Sequence, residues 1–115
     1  MLFRSQRKIE RIFGFIQKTC FQGHTHVPGV FTENCRFYSP REISNHYQFG
    51  MQKVMVNVGS VGQPRDHDPR SCYVVFDGES VEFRRVEYPV SVTREKILAI
   101  AELDDFHGNR LLEGK

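Results

Sequence analysis

One stretch constrains the fold more than any other. Residues 54–58 read Val-Met-Val-Asn-Val, a run that is nearly all apolar and β-branched. Such a run is typical of a β-strand that is buried on both faces, because a strand with one wet face alternates polar and apolar side chains. The run leads directly into residues 59–65, which contain two glycines. The chain is therefore expected to fold around a buried strand that projects this loop.

The loop that follows the buried strand has the composition of an anion-binding site. Its two glycines let successive backbone N–H groups converge into a concavity, and an arginine can add a bidentate contact to a phosphate. The candidate phosphate-binding residues are therefore Ser60, Gly62 and Arg65. The alternative is a tight turn that fixes the edge of the sheet, with Arg65 paired to Asp66 or Asp68.

A second stretch carries the side chains best suited to bind a metal. His24 and His26 are separated by one residue and follow the short run 19–22, which is predicted to be a strand. Imidazole is the commonest protein ligand for transition metals, and such ligands are usually displayed where a strand ends. Gly23 can adopt a positive φ and so allows a turn, and with Thr25 it is expected to support the loop. The alternative is a pair of surface histidines after a buried strand.

Together, the two stretches resemble a known family. The segments GHTHVPGVF (23–31) and NVGSVGQPR (57–65), in this order and at this separation, are similar to the C-terminal portion of the calcineurin-like metallophosphoesterases. The resemblance covers nearly the whole chain but only about the last half of the family's domain. It implies an α/β fold in which a mostly antiparallel sheet with flanking helices forms one sheet layer of an αββα sandwich. Residues 1–115 are then expected to form a single domain.

The resemblance also implies a chemistry and shows what is missing for it. Family members hydrolyse phosphate monoesters or diesters with two divalent metals, bound by D-x-H, G-D, G-N-H and G-H-x-H motifs and a further histidine. Only the last motif is present here, so His24 would bind one metal and His26 the other. The metal would be manganese, zinc, iron or nickel. Residues 105–109, Asp-Phe-His-Gly-Asn, match two of the missing motifs in letters only, because they lie in a polar tail and follow no strand. The isolated chain is therefore expected to be inactive.

Two other functional classes are consistent with these residues. The chain could be a non-catalytic remnant, a subunit or a binding module that retains only part of a metal site. It could also bind a single zinc ion through both histidines and either Cys20 or Cys35, although Cys20 is expected to be a core residue of a strand.

The missing half also affects the expected partners. Without it, Val54, Val56 and Val58, with Val74 and Phe76, would present an apolar sheet face to water, which is uncommon in soluble monomers. We therefore expect either a homodimer that joins two such faces or association with an N-terminal half. The alternative is that residues 31–50 fold back over the face.

Composition excludes several other classes. The chain has 16 basic and 14 acidic residues and a net charge of +2, which gives no case for nucleic-acid binding. It has three cysteines and no C-x-x-C spacing, so a disulfide framework is not expected and a reducing cytoplasm fits best. No apolar stretch approaches the length that spans a bilayer.

Periodicity and turn residues predict the remaining elements. Thr93 has the side chain of a helix N-cap, and the last two residues are expected to be frayed. The predicted elements are a helix at 7–18, a β-hairpin of strands 19–22 and 29–32 with the histidines in its loop, a short strand near 46–49, a hairpin of strands 71–76 and 81–86 around Asp77-Gly78, and a helix at 94–103.

Overall fold

A computed structural model describes residues 6–115 of the chain. Its elements are, in chain order, α1 (Gln6–Phe15), β1 (Thr19–Gln22), β2 (Gly29–Thr32), β3 (Phe37–Tyr38), β4 (His46–Gln48), β5 (Val54–Asn57), β6 (Ser71–Phe76), β7 (Ser80–Val86), α2 (Val90–Leu98) and α3 (Asp105–Glu113). The strands form a four-stranded sheet A, in the order β1-β5-β2-β3, and a three-stranded sheet B, in the order β4-β7-β6.

Strand β5 occupies an interior position of sheet A. Its four residues are each at most 4% exposed, which confirms the prediction of a strand buried on both faces. It pairs in parallel with β1 and antiparallel with β2. The predicted hairpin of β1 and β2 is therefore wrong, because β5 lies between them. A fully buried strand needs backbone partners along both of its edges, and only an interior position supplies them.

The two sheets pack face to face, and α1 covers the other face of sheet A. The alternation of side chains along β5 sends Val54 and Val56 towards sheet B and Met55 towards α1. The resulting core between the sheets contains Val30, Val54 and Val56 from sheet A and Cys72, Val81 and Phe83 from sheet B, and the second cluster contains Phe13, Ile16 and Met55.

The structure confirms the predicted fold class and changes its layering. The fold is mixed α/β with mostly antiparallel pairing, but its strands form two packed sheets where the sequence analysis expected one layer. Val54 and Val56 are buried between these sheets, and Val74 packs against the same core, so the predicted apolar face is not exposed. Only Phe76, at 47% exposure, still faces water. The homodimer therefore no longer follows from that face.

The local predictions for the second half of the chain succeed at the hairpin and fail at the helices. The hairpin forms from β6 and β7, with Val74 opposite Phe83 and the Asp77 carboxylate accepting the N–H groups of Glu79 and Ser80. Helix α2 begins after Pro89, four residues before the predicted start, and Thr93 is not its cap. A proline fixes the φ of its own residue near helical values and so favours a helix start.

Helix α3 was not predicted from the sequence. Its N-cap Asp104 accepts the N–H of Phe106, and it ends at Gly114 in the left-handed conformation. Gly114 is buried, and its carbonyl oxygen accepts the N–H of His67 at 2.9 Å, so the expectation of a frayed end is wrong for this residue.

Within residues 6–115, no helix combines the length and apolar character needed to cross a membrane.

The packing of the two sheets predicts the effect of a core truncation. Val56 is fully buried, whereas Val61 is 66% exposed. Val56→Ala should therefore lower the free energy of unfolding by about 2 kcal/mol through lost burial and a residual cavity. The same change at Val61 should alter it by less than about 0.5 kcal/mol. Urea denaturation of the two variants measures both values, and equal effects would contradict the assignment of β5 to the core.

Candidate metal centre

The two sequence motifs meet at one end of the sandwich, where β1 and β5 end and β2 begins. Gln22 at the end of β1 and Gly29 at the start of β2 are both paired with Asn57 at the end of β5. The loop 23–28 and the loop that begins at residue 58 therefore leave sheet A side by side. The N–H of Arg65 donates to the carbonyl oxygen of His26 at 3.0 Å, which ties the second loop to the first.

Both candidate ligands have unusual backbone conformations. His24 has φ 75° and His26 has φ 63°, which is the left-handed region that side chains with a Cβ rarely adopt. Gly23 is not among the residues with positive φ, so the turn occurs at the histidines and not at the glycine as expected. Strain of this kind persists only where the surroundings fix the backbone, and it is common at functional sites.

Asn57 fixes this backbone, and the sequence analysis did not identify it. Its side chain is 1% exposed. Its Nδ2 donates to the carbonyl oxygen of Gly23 at 3.2 Å and to Oγ1 of Thr25 at 2.8 Å, and its Oδ1 accepts the N–H of Gly59 at 3.0 Å. One buried amide thus connects residues 23–28, the histidine loop, to residues 58–65, the glycine loop. The signal in the sequence was a single amide at the end of an otherwise apolar run.

Thr25 lies between the two histidines and forms further hydrogen bonds within the loop. Its hydroxyl oxygen also accepts the N–H of Val27 at 3.3 Å, and its own N–H donates to the carbonyl oxygen of Gly23 at 3.0 Å. These bonds hold the residues on both sides of His24 and His26.

His26 is oriented so that one ring nitrogen can bind a metal. Its Nδ1 lies 2.9 Å from the carbonyl oxygen of Gln63, and a carbonyl oxygen can only accept, so Nδ1 carries the proton. The lone pair is then on Nε2. A backbone carbonyl on the second nitrogen is the usual way in which a protein orients a ligating histidine. His24 is exposed at the surface of the same loop.

The glycine loop is rigid at its base and open at its tip. Gly59 has φ 77°, and a Cβ there would lie 2.9 Å from Sγ of Cys72, so only glycine fits. Ser60 uses its hydroxyl oxygen to accept the N–H of Gln63. In the described part of the chain, the N–H groups of Ser60, Val61 and Gly62 donate no hydrogen bond. These three exposed or partly exposed donors are free to bond water or an anion.

Arg65 is not paired with either neighbouring carboxylate, so that part of the alternative reading is wrong. Its guanidinium donates to the side chain of Gln63 and is exposed. Asp66 is instead paired with Arg85, which was not predicted, and Asp68 is paired with Arg70 at 2.7 Å. The hydrogen bond from Arg70 lowers the pKa of Asp68 against the opposing effect of burial, and the charge of Arg85 adds to this. Both arginine positions lay outside the motifs that the sequence analysis used.

The described residues supply only part of a metal site. Within residues 6–115, no three side chains among His, Cys, Asp and Glu are grouped so that they could hold a metal ion together. Cys20 lies against the cluster under α1, so the mononuclear zinc site with Cys20 or Cys35 is not assembled within these residues. His107 lies on helix α3, which agrees with reading the D-x-H letters there as coincidence. His24 and His26 therefore stay a predicted ligand pair, which other groups would have to complete.

Comparison with known proteins supports the same interpretation of the fold. No protein-family model matches the chain. An uncharacterized protein of Methanocaldococcus jannaschii is 35% identical over 97 residues, which are 83% of this chain and 39% of that protein. The crystal structure of a metallophosphoesterase from Sphaerobacter thermophilus matches 99% of this chain and 50% of its own, with a TM-score of 0.78 and 29% identity. The structure therefore resembles a metallophosphoesterase, and the chain spans about half or less of the length of these proteins.

The position of Asn57 predicts how the two loops respond to its removal. Asn57→Leu should remove three hydrogen bonds, leave the N–H of Gly59 without a partner and lower the free energy of unfolding by about 3 kcal/mol. The amide hydrogens of Val27 and Gly59 should exchange faster with solvent. Asn109, an exposed residue of α3, provides the matched control, and Asn109→Leu should leave both amides protected. Unchanged exchange at Val27 and Gly59 in Asn57→Leu would contradict the connecting role.

Proposed function

We propose that this chain forms part of a metal-dependent phosphoesterase, with His24 and His26 as ligands of divalent metal. One observation carries the proposal. The histidine loop and the glycine loop lie at the same end of the sandwich and share the buried amide of Asn57. The resemblance of the structure to a metallophosphoesterase supports the same class of function.

Each loop has a separate chemical task in this proposal. His26 offers Nε2 to a metal because the Gln63 carbonyl fixes the proton on Nδ1. The free N–H groups at 60–62 and the exposed guanidinium of Arg65 bind phosphate oxygens of a monoester or diester. A bound manganese, zinc, iron or nickel ion, or a pair of them, would polarise the phosphoryl oxygens and lower the pKa of bound water.

Residues outside this sequence complete the site in our proposal, either from the same polypeptide or from a second one. Two edge strands mark where they would join. Strand β1 ends sheet A and β6 ends sheet B, and the rings of Phe21 and Phe76 on these strands are 5.1 Å apart. Both rings remain more than 40% exposed. A unit that extends both sheets at this side would cover them, and the half of the Sphaerobacter thermophilus protein that this chain does not match is a candidate for such a unit.

A non-catalytic role as a subunit or binding module is the alternative, and the small ligand set favours it for the chain alone. A cytoplasmic location is also part of the proposal. It rests on Cys20, Cys35 and Cys72, none of which forms a disulfide within the described chain.

The first test concerns metal binding by the isolated chain. Two imidazoles leave most of the coordination sphere to water, so calorimetry with manganese or zinc should show weak binding. His24→Ala and His26→Ala should each reduce binding below detection, because a single remaining imidazole binds a divalent ion only very weakly. His107→Ala, which removes an exposed histidine on α3, is the control and should bind as the parent does. Tight binding that survives His24→Ala would refute the assignment.

The second test concerns catalysis. The isolated chain should not hydrolyse bis-p-nitrophenyl phosphate with any of the four metals, because two histidines cannot hold a shared nucleophile between two ions. Adding the unmatched half of the Sphaerobacter thermophilus protein should produce metal-dependent hydrolysis that His26→Ala removes. Turnover by the chain alone would show that its own residues complete the site. A complex that forms without any turnover would favour the non-catalytic alternative.

A further inference from the structure

A cavity of about 640 Å³ lies beside the histidine loop, at the same end of the sandwich. One wall begins at Val27 and Pro28, the two residues that follow His26. Another wall contains Asp66, the residue after Arg65. The N–H of Arg65 donates to the carbonyl oxygen of His26. Cavities of this size take small organic ligands. A ligand in this one would therefore lie next to the proposed metal ligands.

The apolar part of the lining contains one partly exposed aromatic ring, that of Phe37. Phe83 also borders the cavity, but it is 3% exposed and belongs to the core between the sheets, so it offers a ligand almost no surface. The ring of Phe37 lies over Gly29, where an added Cβ would be 2.2 Å from Cζ of that ring. It also lies 4.7 Å from the ring of Phe31, measured between centroids. A ring held in this way favours a flat or apolar group of a ligand.

The charged part of the lining is not balanced. Three arginines and two aspartates face the cavity, which leaves one positive charge in excess. Arg85 is paired with Asp66 and lies 3.7 Å from Asp68, and Arg70 is paired with Asp68. The side chain of Arg41 forms no ion pair or hydrogen bond within residues 6–115, and it is exposed at the rim. The excess charge is therefore that of Arg41.

Asn45 places a second unused polar group beside Arg41. Its backbone has φ 62° and is held at both ends, because its N–H donates to the Pro40 carbonyl oxygen at 2.7 Å and its carbonyl oxygen accepts the N–H of Phe83 at 2.7 Å. Its side-chain amide forms no hydrogen bond in the described part of the chain. Asparagine tolerates this positive φ, and the exposed amide is free to bind a ligand.

We propose that this cavity binds the organic part of a small anion, with a ring or flat apolar group against Phe37 and an acidic group on Arg41 and Asn45. Identifying that anion as the substrate rests on the proposed function. In that case the preferred esters carry a second acidic group on the organic part, and the phosphorus lies at His24 and His26.

The test uses phenylphosphonate, which combines a ring with an anionic group and has no ester bond to hydrolyse. Two-dimensional amide NMR spectra of the chain, recorded with EDTA, should show shifts at residues 37–45 and 66–70 at ligand concentrations on the order of millimolar. Shifts at residues 60–65 alone would place the anion on the glycine loop and overturn the proposal. Methylphosphonate, which lacks the ring, and benzyl alcohol, which lacks the anion, should each bind more weakly. Because no metal and no turnover are involved, this result is independent of the tests of catalysis.

Two variants then test the assigned groups. Arg41→Ala should weaken phenylphosphonate binding about threefold, as expected for an exposed charge pair, whereas Arg36→Ala, at an exposed arginine outside the cavity, should not. Asn45→Gly removes the amide while glycine accepts the positive φ, and it should also weaken binding, by about twofold. Shifts that are absent or spread over the whole surface would overturn the proposal. Equal affinity of the Arg41 and Arg36 variants would overturn it as well.

Discussion

The burial of β5 is the constraint on which the rest of the structure depends. Its residues are shielded on one side by sheet B and on the other by α1, and both of its edges are paired. A polar side chain in such a strand must find its partners inside the protein. Asn57 is the polar residue of β5, and it uses its amide to hold the two loops that leave the sheet beside it. Core packing and site geometry are thus joined at one residue.

The strain in the histidine loop has a structural source that can be named. Two non-glycine residues with positive φ, separated by one residue, would not keep this conformation in a free loop. Here Thr25, between them, is bonded on both its hydroxyl and its N–H, and the carbonyl oxygen of His26 accepts the N–H of Arg65. The energy stored in the backbone is offset by these bonds. The backbone positions of His24 and His26 are therefore fixed by the protein's own contacts.

The sequence predicted six of the seven strands because each of these carries a short apolar or alternating run, whereas the two-residue β3 was not predicted. The bounds of β1, β2 and β6 agree with the prediction, and residues 54–58 were correctly expected to be buried. The pairing of β1 with β2 was wrong because the partners of a strand depend on residues distant in sequence, here those of β5. The second sheet was missed for the same reason. The residues that cap α3, Asp104 and Gly114, are typical helix caps, but this segment was interpreted as part of a polar tail.

The candidate site was predictable to a different degree at each of its parts. His24 and His26 stand out by residue type, whereas Asn57 and Arg85 act through contacts that no local pattern shows. Arg85 connects β7 to the loop after Arg65 through Asp66, and Gly114 fixes the same loop from α3, where a Cβ would lie 2.6 Å from the N–H nitrogen of Asp68. The loop is thus held by sheet B, by α3 and by the histidine loop. Because three parts of the fold hold this loop, the completing unit of the proposed function would have to adapt to the positions that His26 and the glycine loop already have.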